Sequence, residues 1–288
     1  MIVIDKTSEM QQWAKQHSDR PIAAVYTMGA LHAGHAELMT YTRTWIKEHI
    51  GKDCYVVASI FVNPTQFTNV ADLEKYPRSI EADLKVCDVA GVNAVFIPTV
   101  DQMYPQGIDH VALLDAGSLK NVFEGASRPG HFDGVVTVVS KLFSATQPQY
   151  AFFGEKDYQQ LTILKQFVRD QQLPITIVGV PTVRDSDGLA LSSRNQRLTA
   201  HGRVVAAHIP TALNIVSQAV SNAVDIDLAI TSAREYLMQF PELTIDYLDI
   251  TSDDMGPAPT SGSARVLVAV VIDGVRLIDN LPIQIRNT

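Results

Sequence analysis

Two histidines and two glycines lie within the short segment TMGALHAGH at residues 27–35. An apolar run at residues 22–25 is typical of a strand, and apolar residues recur at helical spacing over residues 38–46. The segment is therefore predicted to lie where a strand turns into a helix. The first turn of a helix offers unpaired N–H groups and the positive end of the helix dipole, which together attract phosphate. His32 and His35 would project from the same side of that turn toward such a ligand.

The same pattern has simpler interpretations. Two histidines three residues apart near a helix start can be partly exposed polar side chains. Zinc is less favoured, because the zincin spacing is four residues with an intervening Glu and because neither Cys54 nor Cys87 lies nearby. The order strand, glycine, histidine, glycine, histidine, helix resembles the HxGH signature of the nucleotidyltransferase superfamily. That resemblance implies adenylyl-transfer chemistry in which His32 and His35 act on the phosphates of ATP.

The charge balance argues against a nucleic-acid surface. The chain has 288 residues, 46% of them hydrophobic, and a formal net charge of −8. Nucleic-acid binding needs a broad cationic surface that displaces counterions, which an acidic protein does not readily offer. A polyanion such as ATP would then be held by a few local lysines, arginines and helix N-termini.

Hydropathy and cysteine content favour a cytoplasmic protein with no membrane partner. The longest strongly apolar stretch, residues 266–272, is too short to span a bilayer. Residues 1–19 lack the apolar core of an export signal. Cys54 and Cys87 lie in apolar surroundings, so we expect reduced, structural thiols and no disulfide.

Strand-like and helix-like segments alternate through the first 180 residues, which predicts an α/β domain with a mainly parallel sheet. Strand-like runs are expected near residues 22–25, 55–62, 94–97, 135–143, 151–153 and 175–180, with helices near 79–90 and 161–169. From about residue 184 the pattern changes to a smaller α+β domain. There we expect helices starting near residues 200 and 228 and strands near 244–250, 265–271 and 275–277. The predicted division is residues 1–183 and 184–288.

Polar loops follow three of the predicted strands, after Tyr26, Val62 and Phe153. Ligands of parallel sheets bind at the carboxyl ends of the strands, where these loops fall. The second loop, NPTQF at residues 63–67, offers neutral amide groups, and the third, GEKD at residues 154–157, offers a lysine as a point charge for phosphate. Each loop alone could be a solvated turn, so the prediction of a site depends on their shared position.

Two more polar segments could contact an anion. LSSRN at residues 191–195 offers two hydroxyls and a guanidinium that could clamp terminal phosphates as a small domain closes. Arg128 and His131 could face an anion or could belong to a rigid connector, and the sequence leaves both interpretations open.

Taken in order, these segments resemble the pantothenate synthetase (pantoate–β-alanine ligase) family of the HxGH superfamily. The similar stretches run nearly end to end: TMGALHAGH at 27–35, SIFVNPTQF at 59–67, YPRSIEADL at 76–84, FEGASRPGHFDGV at 123–135, FGEKDYQQL at 153–161, TVRDSDGLALSSRN at 182–195 and ARVLVAVVIDGVRLIDN at 264–280. The resemblance implies a Rossmann-like, mainly parallel sheet flanked by helices, a smaller C-terminal α+β lid domain, a homodimer, and the use of ATP with Mg²⁺. Two positions depart from the family: Tyr26, where Pro usually borders the acid pocket, and Ser79, where Thr is more frequent.

Carried over by position, the resemblance implies binding residues for three substrates. ATP would contact Met28, Gly29, Ala30, Leu31, His32, Ala33, Gly34, His35, Gly154, Glu155, Lys156, Asp157, Val183, Leu191, Ser192, Ser193 and Arg194. Pantoate would contact Met28, Asn63, Gln66 and Gln160, and Gln66 would also contact β-alanine. Catalysis would fall to His32, His35, Lys156 and Arg194, with His35 as the proton donor. The resemblance indicates no ligands for Mg²⁺.

The implied reaction has two steps. The pantoate carboxylate attacks the α-phosphorus of ATP to give pantoyl adenylate and pyrophosphate, and the amine of β-alanine then attacks the acyl carbon as AMP leaves. Two other interpretations stay open. A plain nucleotidyltransferase, making a dinucleotide or a CDP-alcohol, would stop at the nucleotidyl product, and a non-catalytic nucleotide-binding module would release no pyrophosphate.

Overall fold

The structure is a computed structural model that describes residues 1–67, 73–74 and 76–286. Two compact units are formed, one by Met1–Glu155 and Gln159–Pro181, the other by Lys156–Tyr158 and Thr182–Thr288. Lys156 thus has its contacts with the second unit although elements of the first unit precede and follow it along the chain. The functional division into residues 1–183 and 184–288 stays a prediction.

A six-stranded parallel sheet forms the centre of the first unit, in the order β1-β4-β3-β2-β5-β6. Its strands are β1 (Ile2–Ile4), β2 (Ile22–Thr27), β3 (Tyr55–Ile60), β4 (Ala94–Phe96), β5 (Tyr150–Gly154) and β6 (Thr176–Val180). Strand β2 pairs with β3 on one side and with β5 on the other, so the direction of strand addition reverses beside it. Ligands of doubly wound sheets bind at the carboxyl ends of the strands at such a reversal. The loop after β2 begins there.

Helices connect these strands and cover the sheet. They are α1 (Thr7–Gln16), α2 (Ala33–Ile50), α3 (Ile80–Val89), α4 (Val100–Met103), α5 (Phe123–Ser127), α6 (His131–Thr146) and α7 (Tyr158–Asp170). Helix α2 packs through Met39 and Ile46 against Val25 of β2 and Val56 of β3, all fully buried. Burial of this apolar stripe stabilises the packing of α2 on the sheet by about 25 cal/mol per Å² of apolar surface. The N-terminus of α2 is thereby fixed at the end of the loop after β2.

One predicted strand is wrong: the apolar run at residues 135–143 belongs to helix α6. Its valines favour strands by their β-branching. However, most of the helix circumference is buried, including Val135, Val136, Val139 and Phe143, so no polar face marks the helical period in the sequence. The short strand β1 and helix α1 were not predicted at all.

The second unit contains a three-stranded antiparallel sheet in the order β7-β8-β9, which leaves β9 at one edge. Its strands are β7 (Leu243–Thr251), β8 (Gly262–Ile272) and β9 (Val275–Ile285), and its helices are α8 (Ala200–Ala206), α9 (His208–Ser221) and α10 (Ile226–Leu237). The predicted smaller α+β region is confirmed, with longer strands than expected because β8 and β9 form a continuous hairpin.

Within the part of the chain that the structure describes, the segment Ala200–Ser221 is long and apolar enough to cross a membrane by length and composition. It forms the two helices α8 and α9 instead of one. Val205, Ile209, Leu213 and Val216 are at most 3% exposed in the core of the second unit. Packing inside this unit therefore accounts for the apolar composition of the segment.

Candidate active site

The loop between β2 and α2 adopts a backbone that demands glycine. Gly29 has a φ of +81° and Ala30 a φ of +53°. A Cβ on Gly29 would lie 2.9 Å from Asp83 Oδ2 and 3.2 Å from Ile60 Cγ2. Only glycine fits both the left-handed conformation and this close approach. The loop is therefore held against β3 and α3 in one conformation.

Asp83 on α3 holds the same loop through hydrogen bonds to its backbone. Its side chain is buried, and it accepts hydrogen bonds from Ala30 N at 3.0 Å, from Leu31 N at 2.8 Å and from Ser79 Oγ at 3.1 Å. Ser79, which departs from the family pattern, keeps the hydroxyl that this bond requires. The role of Asp83 is not among those predicted from the sequence. The available signal was an acidic residue one turn from Cys87 on the apolar face of α3, since a carboxylate there needs donors.

Substitution of Asp83 by Asn should lower kcat/KM for ATP strongly and the free energy of unfolding only moderately. The amide can accept one of the two loop N–H groups, but its NH₂ faces the other donor, so the loop loses its fixed conformation. We expect kcat/KM for ATP to fall about tenfold or more, the scale of a displaced positioning group, and unfolding in urea to show a loss of about 1–3 kcal/mol for the unsatisfied donor.

The matched control is Asp88→Asn, which removes an exposed carboxylate from the same helix. It should leave both measurements unchanged. Wild-type kcat/KM for ATP in Asp83→Asn would show that the carboxylate does not organise the loop.

His32 and His35 cap the N-terminus of α2 reciprocally. Gly34 N donates to His32 Nδ1 at 3.1 Å, and His32 N donates to His35 Nδ1 at 3.3 Å. A ring nitrogen that accepts a hydrogen bond carries no proton, so the proton of each neutral ring lies on Nε2. The ring centroids are 4.1 Å apart. The predicted pairing of the two imidazoles at one helix tip is thus present, with each ring held in a tautomer whose Nε2–H can donate to a phosphate.

Asn63 and Gln66 form the turn after β3 but use their side chains differently. Asn63 is 1% exposed, and its Oδ1 accepts from Tyr104 Oη at 2.7 Å and from Thr65 Oγ1 at 3.1 Å, while its Nδ2 donates to Gly134 O at 3.3 Å. No described residue forms a hydrogen bond with the side-chain amide of Gln66. The amide of Asn63 therefore shapes the turn, whereas the amide of Gln66 takes no part in holding it among the described residues.

Arg128 and His131 both contact the turn at Gln66. His131 Nδ1 donates to Gln66 O at 3.0 Å, Arg128 Nη2 donates to the same carbonyl at 3.3 Å, and Arg128 Nη1 lies 3.2 Å from His131 Nε2. Of the two interpretations that the sequence left open, this geometry supports the rigid connector, because both side chains fix the backbone that carries Gln66.

The two adjacent glutamines at the start of α7 face different surroundings. Gln159 is buried and donates to Leu119 O at 2.7 Å and to Val122 O at 2.8 Å, while its Oε1 accepts from Glu124 N at 3.0 Å. Gln160 is half-buried, and its side-chain amide has no hydrogen-bond partner among the described residues. Gln159 thus fixes the segment before α5, whereas the amide of Gln160 takes no part in that contact.

Tyr26 packs inside the first unit. Its hydroxyl lies 2.6 Å from Thr146 Oγ1 on α6, and its ring centroid lies 5.7 Å from that of Phe143 and 6.2 Å from that of Phe153. Burial raises the pKa of the phenol well above its usual range, so the hydroxyl stays neutral. The ring therefore fills space next to the end of β2 and brings no charge there.

Lys156 lies in the second unit, in the 3₁₀ turn Glu155–Asp157 that follows β5. Its side chain is 17% exposed, and its Nζ lies 3.8 Å from Asp157 Oδ1. Together with Ser192 and Arg194 it lines a cleft of the second unit, beside Asn195 and Asp279. The structure thus brings together three of the side chains that were predicted to contact phosphate.

The segment that carries Ser192 and Arg194 is ordered by its own backbone. Leu191 N donates to Val183 O at 2.9 Å, and Arg184 pairs with Ala190 in an antiparallel bridge. Ser192 Oγ accepts from Arg194 N at 3.2 Å and thereby caps the 3₁₀ turn Ser193–Arg197. These contacts present Arg194 on a short, preformed turn.

The two cysteines belong to the apolar core of the first unit. Cys54 and Cys87 are both buried free thiols. Burial raises the pKa of each thiol to about 11, so both are neutral near pH 7. Their surroundings fit the predicted structural role.

In residues 1–67, 73–74 and 76–286, no three His, Cys, Asp or Glu side chains gather as a protein-built metal site would require. The imidazole, ammonium, guanidinium and backbone N–H groups at the predicted nucleotide contacts suit anions, and the carboxylates of Glu155 and Asp157 are not part of a three-ligand group among these residues. These residues therefore fit a metal that arrives bound to phosphate better than a metal held by the protein alone.

Comparison with known proteins relates this geometry to one family. A family model described as pantoate-beta-alanine ligase matches residues 2–282. The pantothenate synthetase of Mycolicibacterium smegmatis is 46% identical over 272 residues, covering 94% of this chain and 83% of that protein. That of Nocardia farcinica is 45% identical over 266 residues, covering 92% of this chain and 80% of that protein.

Solved structures agree with the sequences. The crystal structure of pantothenate synthetase from Thermus thermophilus superimposes with a TM-score of 0.88 at 40% identity, covering 98% of this chain and 99% of that chain. The pantoate-beta-alanine ligase of Francisella tularensis, crystallised with beta-gamma ATP and beta-alanine, gives a TM-score of 0.78 at 32% identity, with 98% of this chain and 97% of that chain covered. Since family model, relatives and structures all span nearly the whole sequence, the chain belongs to the pantoate–β-alanine ligase family.

Proposed function

We propose that this ligase condenses pantoate with β-alanine at the expense of ATP, through pantoyl adenylate, and that His32, His35, Lys156 and Arg194 carry the chemistry. The observation that carries the proposal is the tip of α2, where two imidazoles are held in their Nε2–H tautomers beside the positive end of an 18-residue helix. Such a tip supplies directed donors where phosphoryl oxygens gain charge.

In the first step a carboxylate oxygen of pantoate attacks the α-phosphorus of ATP. The bond from phosphorus to the bridging oxygen breaks, and pyrophosphate leaves. Negative charge grows on the phosphoryl oxygens, so catalysis depends on positioning and on preorganised positive potential. His32 and His35 donate from Nε2, with His35 as the proton donor. Lys156 and Arg194 supply full positive charges, which an acidic chain needs locally to bind a polyanion.

In the second step the neutral amine of β-alanine attacks the acyl carbon of pantoyl adenylate. The bond from that carbon to the AMP oxygen breaks, AMP leaves, and the new amide nitrogen loses a proton. The mixed anhydride hydrolyses readily, so water must be kept from it. The predicted role of the C-terminal region as a lid would serve this purpose.

The ATP contacts we propose are the backbone and side chains of residues 28–35, the turn at residues 154–157, Val183 and residues 191–194. These residues would hold Mg²⁺ through the phosphates of MgATP, and the metal would then screen the phosphate charge. The nature of the donors supports this arrangement, since they suit the anion rather than the metal. A homodimer in the cytoplasm is proposed on family membership alone.

The acid pocket we propose contains Met28, Asn63, Gln66 and Gln160, with Gln66 also near β-alanine. No described residue engages the side-chain amides of Gln66 and Gln160, which supports direct contacts to pantoate, whereas the internal bonds of Asn63 support an indirect role in shaping the pocket. Gln66→Ala and Gln160→Ala should therefore raise KM for pantoate about tenfold or more, because each leaves a polar group of the acid without its partner.

Initial-rate kinetics with pantoate and ATP varied in turn check this pair of predictions. KM for ATP should change little in either variant. Gln171→Ala removes an exposed glutamine just past α7 and serves as the matched control. Normal pantoate kinetics in both site variants would refute the assignment.

One assay tests the whole reaction. Purified protein is given ATP, Mg²⁺, pantoate and β-alanine, and each is omitted in turn while pyrophosphate and AMP are followed. We expect pyrophosphate release to require pantoate, and AMP release to rise when β-alanine is added. A plain nucleotidyltransferase would show no β-alanine-dependent AMP, and a nucleotide-binding module would release neither product.

A further inference from the structure

Two consecutive residues of the edge strand β9, Asp279 and Asn280, are buried and fully engaged in polar contacts. Arg184 forms a bidentate pair with Asp279, from Nη1 to Oδ2 at 2.7 Å and from Nη2 to Oδ1 at 3.0 Å. Arg184 also donates to Gly188 O at 3.0 Å and to Asn280 O at 3.1 Å. The guanidinium therefore ties β9 to the hairpin at residues 184–190, which leads directly into Ser192 and Arg194.

The side chain of Asn280 contacts the turn at Lys156, the other segment that we propose to bind phosphate. Its Nδ2 donates to Lys156 O at 3.0 Å, and its Oδ1 accepts from Arg265 Nη1 at 2.6 Å. The guanidinium carbon of Arg265 lies 3.6 Å from the ring centroid of Tyr158, whose hydroxyl donates to Asp253 O at 2.7 Å. The turn at Lys156 is thus held by β9 through an amide and by β8 through a stacked arginine.

The negative charge of the buried Asp279 explains why Arg184 is needed beside it. Asp279 lines the same cleft as Lys156 and Arg194, and its side chain is only 1% exposed. An unpaired carboxylate there would repel a polyphosphate and attract the ammonium of Lys156. The planar fork of Arg184 neutralises both carboxylate oxygens, which a lysine could not do with the same geometry.

We propose that Asp279 and Asn280 are positioning residues that set the spacing between the Lys156 turn and the Ser192–Arg194 segment, with Arg184 neutralising the carboxylate at their junction. The inference rests on the proposed function, because it takes Lys156 and Arg194 as the groups that contact phosphate. One dipeptide on a rigid strand holds both segments, so a change in either residue should alter the reaction through Lys156 and Arg194.

The first test is a double-mutant cycle between Asn280→Ala and Lys156→Ala, read as pantoate-dependent pyrophosphate release. If Asn280 acts through Lys156, Asn280→Ala should slow release about tenfold in the wild-type background and less than about twofold in the Lys156→Ala background, since residues that act as a unit are not additive. An equal loss in both backgrounds overturns the proposal. Asn214→Ala, an exposed asparagine on α9, is the matched control and should change neither rate.

The second test measures charge neutralisation by Arg184. It remains informative even if the Asn280→Ala variant does not fold. Arg184→Gln should raise KM for ATP about tenfold, as an uncompensated negative charge in the cleft repels the nucleotide. Adding Asp279→Asn removes that charge and should bring KM for ATP back toward the wild-type value, whereas the rate at saturating ATP should stay reduced because the pair that ties β9 to the hairpin is still missing. A KM for ATP in the double variant as high as in Arg184→Gln alone overturns the role given to Arg184.

The outcomes also separate this inference from the proposed function. Normal pyrophosphate release in Lys156→Ala overturns both, because the cation that β9 would position is then not used. A strong loss in Lys156→Ala together with additive behaviour of Asn280→Ala overturns this inference alone.

Discussion

Lys156→Ala is expected to lower pantoate-dependent pyrophosphate release by on the order of a hundredfold or more, the usual effect of removing one preorganised charge partner from a transition state. The ammonium lies in a cleft of the second unit with Ser192 and Arg194, and its nearest acidic partner is the half-exposed carboxylate of Asp157 at 3.8 Å. An ion pair of this kind contributes little to stability. Folding should therefore stay intact while the rate falls.

Quenched-flow measurement of the first turnover checks the effect on adenylate formation separately from product release. Lys165→Ala, an exposed lysine on α7, is the matched control, because it changes the net charge equally. Its rate should equal that of the wild type. Near-normal pyrophosphate release in Lys156→Ala would remove Lys156 from the catalytic set.

Two substitutions of His35 should distinguish the roles of its two ring nitrogens. His35→Asn places an amide oxygen near the position of Nδ1, where it can accept from His32 N, but it removes Nε2–H. We expect α2 to keep its cap and the rate of pyrophosphate release to fall on the order of a hundredfold. His35→Gln puts an amide near the position of Nε2, so part of the rate should return while the cap weakens by about 1 kcal/mol.

Thermal unfolding and pyrophosphate release, measured on both variants, give four values that distinguish the roles. A purely structural His35 would make His35→Gln the worse enzyme, because it loses the cap. That order of activities would contradict a role for Nε2 in phosphoryl transfer.

Much of the first unit could be predicted from local pattern. The run of small and β-branched residues before TMGALHAGH is a buried strand, and Leu38, Tyr41 and Trp45 mark the apolar face of α2. The apolar run before this segment and the helical spacing after it predicted a strand–turn–helix junction, and Gly29 has a local backbone reason to lie in it. Helix α6 was mistaken for a strand because burial on nearly all sides erases the 3.6-residue period that distinguishes the two.

Contacts between distant parts of the chain could not be predicted from local sequence pattern. Asp83 supports the loop at residues 30 and 31 from more than fifty residues away, and Asn280 reaches Lys156 across more than a hundred. A single carboxylate or amide in a sequence carries no mark of its partner. Only packing shows that such a group is buried and which donors satisfy it.

The sequence by itself determined the types of groups that we propose to contact ATP: two imidazoles at a helix start, a lysine after a strand and an arginine after two serines. The pairing of the imidazoles follows from their spacing along the chain, which fixes neighbours within a turn, and the resemblance to a family implies the roles of the lysine and the arginine. The tertiary structure decided how each group is held: the tautomers of His32 and His35, the hydrogen bonds that engage the amide of Asn63, and the attachment of Lys156 to β9. Those choices depend on which donors and acceptors meet after folding, and burial makes each unmet one costly.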